Sequence, residues 1–360
     1  MAFFATGKVT KIEERPGIVA LEVDVDERSL SAYGFPLMLG PVEPGDAVIV
    51  NTTGIDLGLG TGGVGFVLWN LDGPGPPRRA EGHIVKLRYT PWQTNVLAAE
   101  EPLSPHHGSL AGVDSIGPLP VVACGLHSQV AAAAAGVKAA HPEARVGYLM
   151  SDGGALPLAW SGLVRRLRAA SLLDVTCTYG HAFGGDLEAV NVFSGLASLH
   201  VAGRVDVAIV GLGPGVAGTA TTLGFSAIEQ GQALDAVSAL GGRSIACLRI
   251  SFADPRARHR GVSHHSLTSL RIAARERSTV VVPLLPAEQS AVLRGQLREA
   301  GIDDRHNVVV ADGAPGLALL RATGVHPTSM GRSLEQTPEL FLAGAAAGRV
   351  AADRLPSPAS

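Results

Sequence analysis

The sequence has little lysine and few cysteines, and it has no long apolar run. Lysine stands only at Lys8, Lys11, Lys86 and Lys138, so 25 of the 29 basic residues are arginine. With so much alanine and glycine, that bias reads as GC-rich coding more than as a demand for arginine. The formal net charge is -3, which leaves no global basic field to draw nucleic acid or an acidic membrane. Neither is expected as a partner, and any anion site must come from a local cluster. Cys124, Cys177 and Cys247 are too scattered for a disulfide framework or a paired metal spacing. Each closes an apolar run, as small core residues do; a reactive thiol at Cys124 or Cys177 is the lesser reading. No stretch of about 18 apolar residues occurs, because Lys138 interrupts the alanine-rich segment. The opening MAFFATGK is too short for a signal peptide. A soluble, cytoplasmic protein is expected.

What is present is ample apolar material, 46% hydrophobic against 17% charged, enough for a large core and contrary to disorder. The organisation changes along the chain. FATGKVTKIEERPGIVALEVDVD reads as two strands about Pro16-Gly17, VEPGDAVIVN as a turn into a strand, and GGVGFVLWNL as another strand. DGPGPPRRAEG reads as a loop, and HIVKLRYT and TNVLAAEE flank PWQ like a second hairpin. Short strands punctuated by glycine and proline predict a small β-barrel-like domain over residues 1–103, for packing or oligomerisation. Residues 104–115 read as a linker loop, and 351–360 as a tail.

Over 116–350 the pattern becomes strand, helix, strand, helix. LPVVACG, RVGYLM, LLDVTCT, VDVAIVG, SIACLRI, TVVVPLL and NVVVAD are near-continuous apolar runs, with segments such as VAAAAAGVKAA and WSGLVRRLRAA between them. Strands apolar on both faces and joined by helices predict an α/β domain, a doubly wound, mostly parallel, Rossmann-like sheet. Ligands of such sheets bind outside the carboxyl ends of the strands, and there the polar residues recur. His127, Asp152, His181 with Asp186, Gly213, Asp254 and Asp312 each follow a predicted strand. Taken alone, Asp152-Gly153 and Asp312-Gly313 read as turns, and Asp186 as the cap of a helix LEAVNVFSGL.

VGLGPGVAGT places Gly211, Gly213, Gly215, Gly218 and Thr219 directly after a strand. Backbone N–H groups can approach an anion there, and the next helix is expected to add its positive end. The spacing departs from the dinucleotide fingerprint, the acidic residue about 20 positions on is missing, and no Walker A follows. The motif therefore supports neither NAD nor ATP; a tight turn is the competing reading. A divalent metal held by His181, Asp152, Asp186 and a histidine of 259–265 is the minority alternative, because no pair has strong ligand spacing.

RARHRGVSHHS, residues 256–266, crowds three arginines and three histidines onto a helix start. Ser263 is expected as its cap. The helix dipole and the arginines favour neutral His264 and His265, while Arg249, Arg256, Arg258 and Arg260 stay charged. A bound phosphate or carboxylate reconciles those charges with the helix; a solvated loop or a homo-oligomer interface is the alternative.

The blocks GHIVKLRYTP, LHSQ, SDGGALP, GHAFGGDLEAVN, GPGVAGT and RISFADPRARHRGVSHHS resemble those of a bacterial family, domain of unknown function 3866, over nearly the whole chain. The resemblance implies a bacterial protein of similar length and no particular activity. The residues themselves support a site for a small anionic molecule, nucleotide- or phosphate-containing molecules among the candidates. In an enzyme, His181 or His264 would move a proton, with Asp152 or Asp254 as orienter. A ligand sensor, or an assembly protein anchored by its arginines, stands beside that reading.

Overall fold

The structure, a computed structural model, describes residues 2–26, 28–58, 63–76 and 81–355. The chain divides into two compact units, Met1–Val96 and Leu97–Ser360.

The first unit is a closed five-stranded barrel of β1 (Phe4–Arg15), β2 (Ile18–Val25), β3 (Arg28–Gly34), β4 (Ala47–Asn51) and β5 (Gly65–Asn70), in the order β1-β2-β3-β5-β4. Alternation along the strands turns Val9, Val19, Leu21, Val23, Val48, Val50 and Val67 inward to one core. β1 closes the barrel by pairing with both β2 and β4. At the crossover a Cβ on Gly7 would lie 2.6 Å from Asp24 O, so only glycine lets the strands approach there. The expected second hairpin is present as β6 (Ile84–Lys86) and β7 (Thr94–Val96). Of the loop before it, residues 77–80 lie outside the described residues, as do 356–360 of the expected tail.

The second unit begins earlier than composition suggests. Ala98 and Ala99 are buried, and the Ala99 N–H donates to Glu188 O at 2.8 Å. Nor is 104–115 simply a linker, since His107–Leu110 is a helical turn whose Leu110 packs on Ala99 and Ala197. The unit's main sheet contains β8 (Pro120–Cys124), β9 (Val146–Ser151), β10 (Val175–Thr178), β11 (Leu187–Glu188), β12 (Val207–Leu212), β13 (Arg243–Cys247), β16 (Thr279–Pro283) and β17 (Asn307–Ala311). Its order is β11-β10-β9-β12-β8-β13-β16-β17, and every pairing is parallel. β14 (Ile250–Ser251) and β15 (Gly261–Val262) form a separate antiparallel ribbon.

Residue alternation serves both faces of the sheet. Val122, Cys124, Tyr148, Met150, Ile209 and Cys247 enter one core; Val121, Ala123, Leu149, Cys177, Val210 and Ala246 enter the other. All three cysteines are buried, and none forms a disulfide. The alanine-rich helix Gln129–Ala140 packs against Pro338–Ala352 by near backbone contact. A Cβ on Gly136 would lie 2.1 Å from Ala345 O, and one on Gly348 2.0 Å from Ala133 O. The sheet winds outward in both directions from β8, so the loops after β8, β9, β10, β12 and β13 share its central carboxyl edge. Among the described residues, no helix is long and apolar enough to cross a membrane.

β11 lies within the segment expected as a helix. Asp186 does not cap. Its carboxylate accepts from the Thr176 N–H at 2.9 Å and pairs with Arg168, fastening the start of β10. The helix that follows is Val192–Val201, and Asn191 caps it in a reciprocal box with Ser194.

Candidate functional site at the carboxyl edge

Three polar clusters lie along this edge. The largest grows from the end of β13. The chain leaves the sheet at Leu248, and the β14–β15 ribbon folds it back, so that the Ser263 N–H donates to Arg249 O at 2.8 Å. The Arg249 N–H donates to Ser266 Oγ, also at 2.8 Å. Arg249 is thus pinned against the first turn of the helix His264–Thr268. As expected, Ser263 caps that helix: its Oγ accepts from the His265 N–H at 3.2 Å and lies 2.7 Å from His259 Nδ1.

Charge here is unbalanced. Asp254, 4% exposed, accepts from Arg256 through the backbone N–H at 3.0 Å and through Nε and Nη2 at 3.0 and 2.8 Å. The same carboxylate lies 3.9 Å from Arg249 and from Arg332. The hydrogen bonds from Arg256 hold the Asp254 carboxyl well below the usual carboxylate range, against its desolvation. Arg249 is 6% exposed, and its guanidinium donates to His265 Nδ1 at 3.2 Å and to Met330 Sδ at 3.3 Å. Burial, then repulsion from Arg256, pushes its pKa down to about 10. One carboxylate therefore serves three guanidinium groups.

His259, His264 and His265 face one another within this crown, with ring centroids 4.4–5.0 Å apart. Phe225 stacks on His265 at 4.0 Å and meets His264 edge-on. Burial, reinforced by Arg249, lowers His259 to about 4 and His265 to about 3; burial and Arg258 lower His264. All three are neutral at pH 7, with lone pairs to offer. Their ligand nitrogens lie within 4.8 Å of one another.

The second cluster joins β9, β10 and the helix Glu229–Ala239. Ser151 Oγ donates to Glu229, and Asp152 accepts the His181 backbone N–H at 2.9 Å. Burial, with a smaller push from Asp152, raises Glu229 to about 7. In the third cluster His127 bridges Ser161 Oγ (2.7 Å, through Nε2) and Tyr148 Oη (3.1 Å, through Nδ1), and burial lowers it to about 4.

Not every expected residue joins these clusters. The Gly213 backbone is taken up by a loop crossing: a Cβ there would meet Ala155 O at 2.6 Å, and the Ala155 N–H donates to Pro214 O. Gly215 has φ +99° and open space around it. Thr219 Oγ1 donates to Gly224 O within an exposed turn. The helix expected to add a positive end to this loop begins instead with the carboxylate of Glu229. Only Gly218 reaches the crown, where its bridge to Phe225 sets that ring over His265. Arg258 is exposed, and Arg260 lines a different cavity of about 450 Å³ with Phe252, Glu288 and Gln296. Asp186 is remote from the crown, on the Thr176–Arg168 contact.

The sequence pattern did not single out Glu229, Phe225, Met330 or Arg332, nor His259 by itself. Met330 and Arg332 come from a loop some 80 residues beyond Arg249, a contact that only the fold makes. No curated protein and no solved structure matches the chain. A family model described as protein of unknown function (DUF3866) matches residues 31–348, and the chain belongs to that family.

Proposed function

We propose that the sheet unit binds a small phosphate- or carboxylate-bearing molecule at the arginine crown after β13. One observation carries the reading: the guanidinium of Arg249 is buried among other arginines, and among the described residues the one carboxylate that pairs with it, Asp254, is already chelated by Arg256. A buried cation without its own counter-ion is costly. An anion between Arg249, Arg256 and Arg332 removes that cost, each charge-assisted contact contributing about 1.5–3 kcal/mol. An interface role would need the guanidinium turned outward, and Arg249 is turned inward. Glu229, titrating near neutrality on the same edge, has the range of a general acid–base group should the ligand be transformed. Three buried cysteines, none in a disulfide, fit a reducing cytoplasm.

Thermal melts in chelator-containing buffer test the proposal, with phosphate, sulfate and citrate as probes. Saturable stabilisation of wild type is expected, about 2.7 kcal/mol at a hundredfold excess over Kd, together with its loss in Arg256→Ala. Equal responses of the two proteins to every anion would count against it.

A further inference from the structure

Three imidazoles meet at the crown, and among the described residues no carboxylate or thiol joins their cluster. Their rings are 4.4, 4.9 and 5.0 Å apart, centroid to centroid, and one ligand nitrogen from each lies within 4.8 Å of the other two. Two of the rings are held by Nδ1, His259 on Ser263 Oγ and His265 on Arg249. A ligating histidine is commonly oriented as His259 is, by an acceptor on its other nitrogen. The third, His264, has a buried Nε2 with no hydrogen-bond partner. A buried polar atom left without a partner costs about 1–3 kcal/mol, and among the described residues no hydrogen bond offsets it.

We infer that His259, His264 and His265 form a three-imidazole site for a divalent transition metal ion of the zinc, cobalt or nickel type, and that an anion on the arginine crown completes its coordination. Neutral imidazoles suit these ions, and three protein ligands leave a position for an exogenous oxygen. The arginines would repel a bare dication. The Arg249–His265 contact shows how that repulsion is relieved. A guanidinium only donates, so His265 Nδ1 accepts and the ring proton sits on Nε2. For Nε2 to ligate, the proton must move to Nδ1 and Arg249 must let go. The released guanidinium is then free for the anion. Metal and anion therefore each favour the arrangement the other needs, and by linkage each tightens the other. The metal site stands without the proposed function; the coupling rests on it.

Cobalt(II) titration of the full-length, chelator-treated protein tests both parts, with visible absorption as the readout and sulfate as the anion. The expected result is ligand-field bands saturating at one ion per chain, with affinity at least tenfold higher in sulfate. His264→Ala should lose at least a hundredfold in affinity, and the volume-conserving His264→Gln should do the same if the alanine variant folds poorly by circular dichroism. In Arg249→Met, cobalt binding should no longer respond to sulfate. If sulfate stabilises the metal-free protein yet no bands form, the metal site is wrong and the anion reading survives. Wild-type cobalt affinity in a folded His264 variant overturns the site as well. Tight, His264-dependent cobalt binding with no response to sulfate overturns the coupling.

Discussion

The barrel and the sheet unit bury polar groups to different ends. In the barrel, Asn70 is a fastener. Its amide donates to Pro41 O and Asp46 Oδ2 at 3.1 and 2.7 Å, and its carbonyl accepts from the Asp72 N–H. Its bonding groups are used within the fold, and the turns around it are fixed. At the carboxyl edge of the sheet, burial instead leaves groups wanting something: a chelated carboxylate, a guanidinium resting on an imidazole and a thioether, and an imidazole nitrogen with no partner. Polar residues that close on each other hold a fold together. Polar residues that converge without closing are what the proposed ligand would satisfy.

The sharpest way to break the comparison is to break one region. Gly348→Val drives a side chain into Ala133 O at the helix crossing. A loss of about 3 kcal/mol or more in denaturant unfolding is expected, because backbone on both sides cannot yield. An effect below ~1 kcal/mol would show that the crossing is looser than described.

Glu229→Gln comes next, and its sign depends on pH. Burial pushes the folded carboxyl up to about 7 from its ordinary value of 4.5. Ionisation is therefore a cost to the folded state above pH 7, and the cost fades as pH falls to 4.5. Glutamine mimics the protonated acid, so the variant should be more stable at pH 8 by about 2–3 kcal/mol and equal to wild type near pH 4.5. His127 slopes the other way. Its folded value of about 4 lies below 6.5, so its contribution is full above pH 6.5 and is lost as pH falls toward 4. The two slopes oppose each other in wild type, and Glu229→Gln should expose the histidine slope. A variant destabilised at pH 8 would contradict the burial reading of Glu229.

Smaller effects sharpen the contrast. A fragment of residues 97–360, if folded, should bind sulfate within a few-fold of the full chain, since Arg249, Asp254, Arg256, the three histidines and Arg332 all lie within Leu97–Ser360; complete loss in a folded fragment would give the barrel a share in the site. Arg258→Ala should weaken sulfate binding only a few-fold, its charge acting from an exposed position. Arg260→Ala should leave it unchanged, because that side chain lies in a separate cavity.

Much of this architecture was legible in the sequence. Seven of the eight parallel strands stand out as near-continuous apolar runs, six because burial on both faces makes them so; β17 has the same apolar pattern although it is the half-exposed edge strand. β11 did not, being two residues long and lying within a polar loop. The density of charge in RARHRGVSHHS marked the segment on which the arginine–histidine crown is built, and Ser263 was readable as a cap. Which arginines turn inward was not readable. Arg249 is buried because the β14–β15 ribbon folds over it, and Arg260 is turned toward Gln296 by the same ribbon. The glycine loop misled because glycine permits close approach to any neighbour, and Gly213 spends that freedom on Ala155.

The most direct measurement is calorimetric titration of sulfate into metal-free wild type and Arg249→Met at pH 7 and low ionic strength. The account predicts a single saturable site in wild type and a ten- to hundredfold loss in the variant, the equivalent of about 1.5–3 kcal/mol, with the ligand-free variant no less stable than wild type, because the cost of the buried cation is gone. Equal binding by both proteins, or none by either, would contradict it.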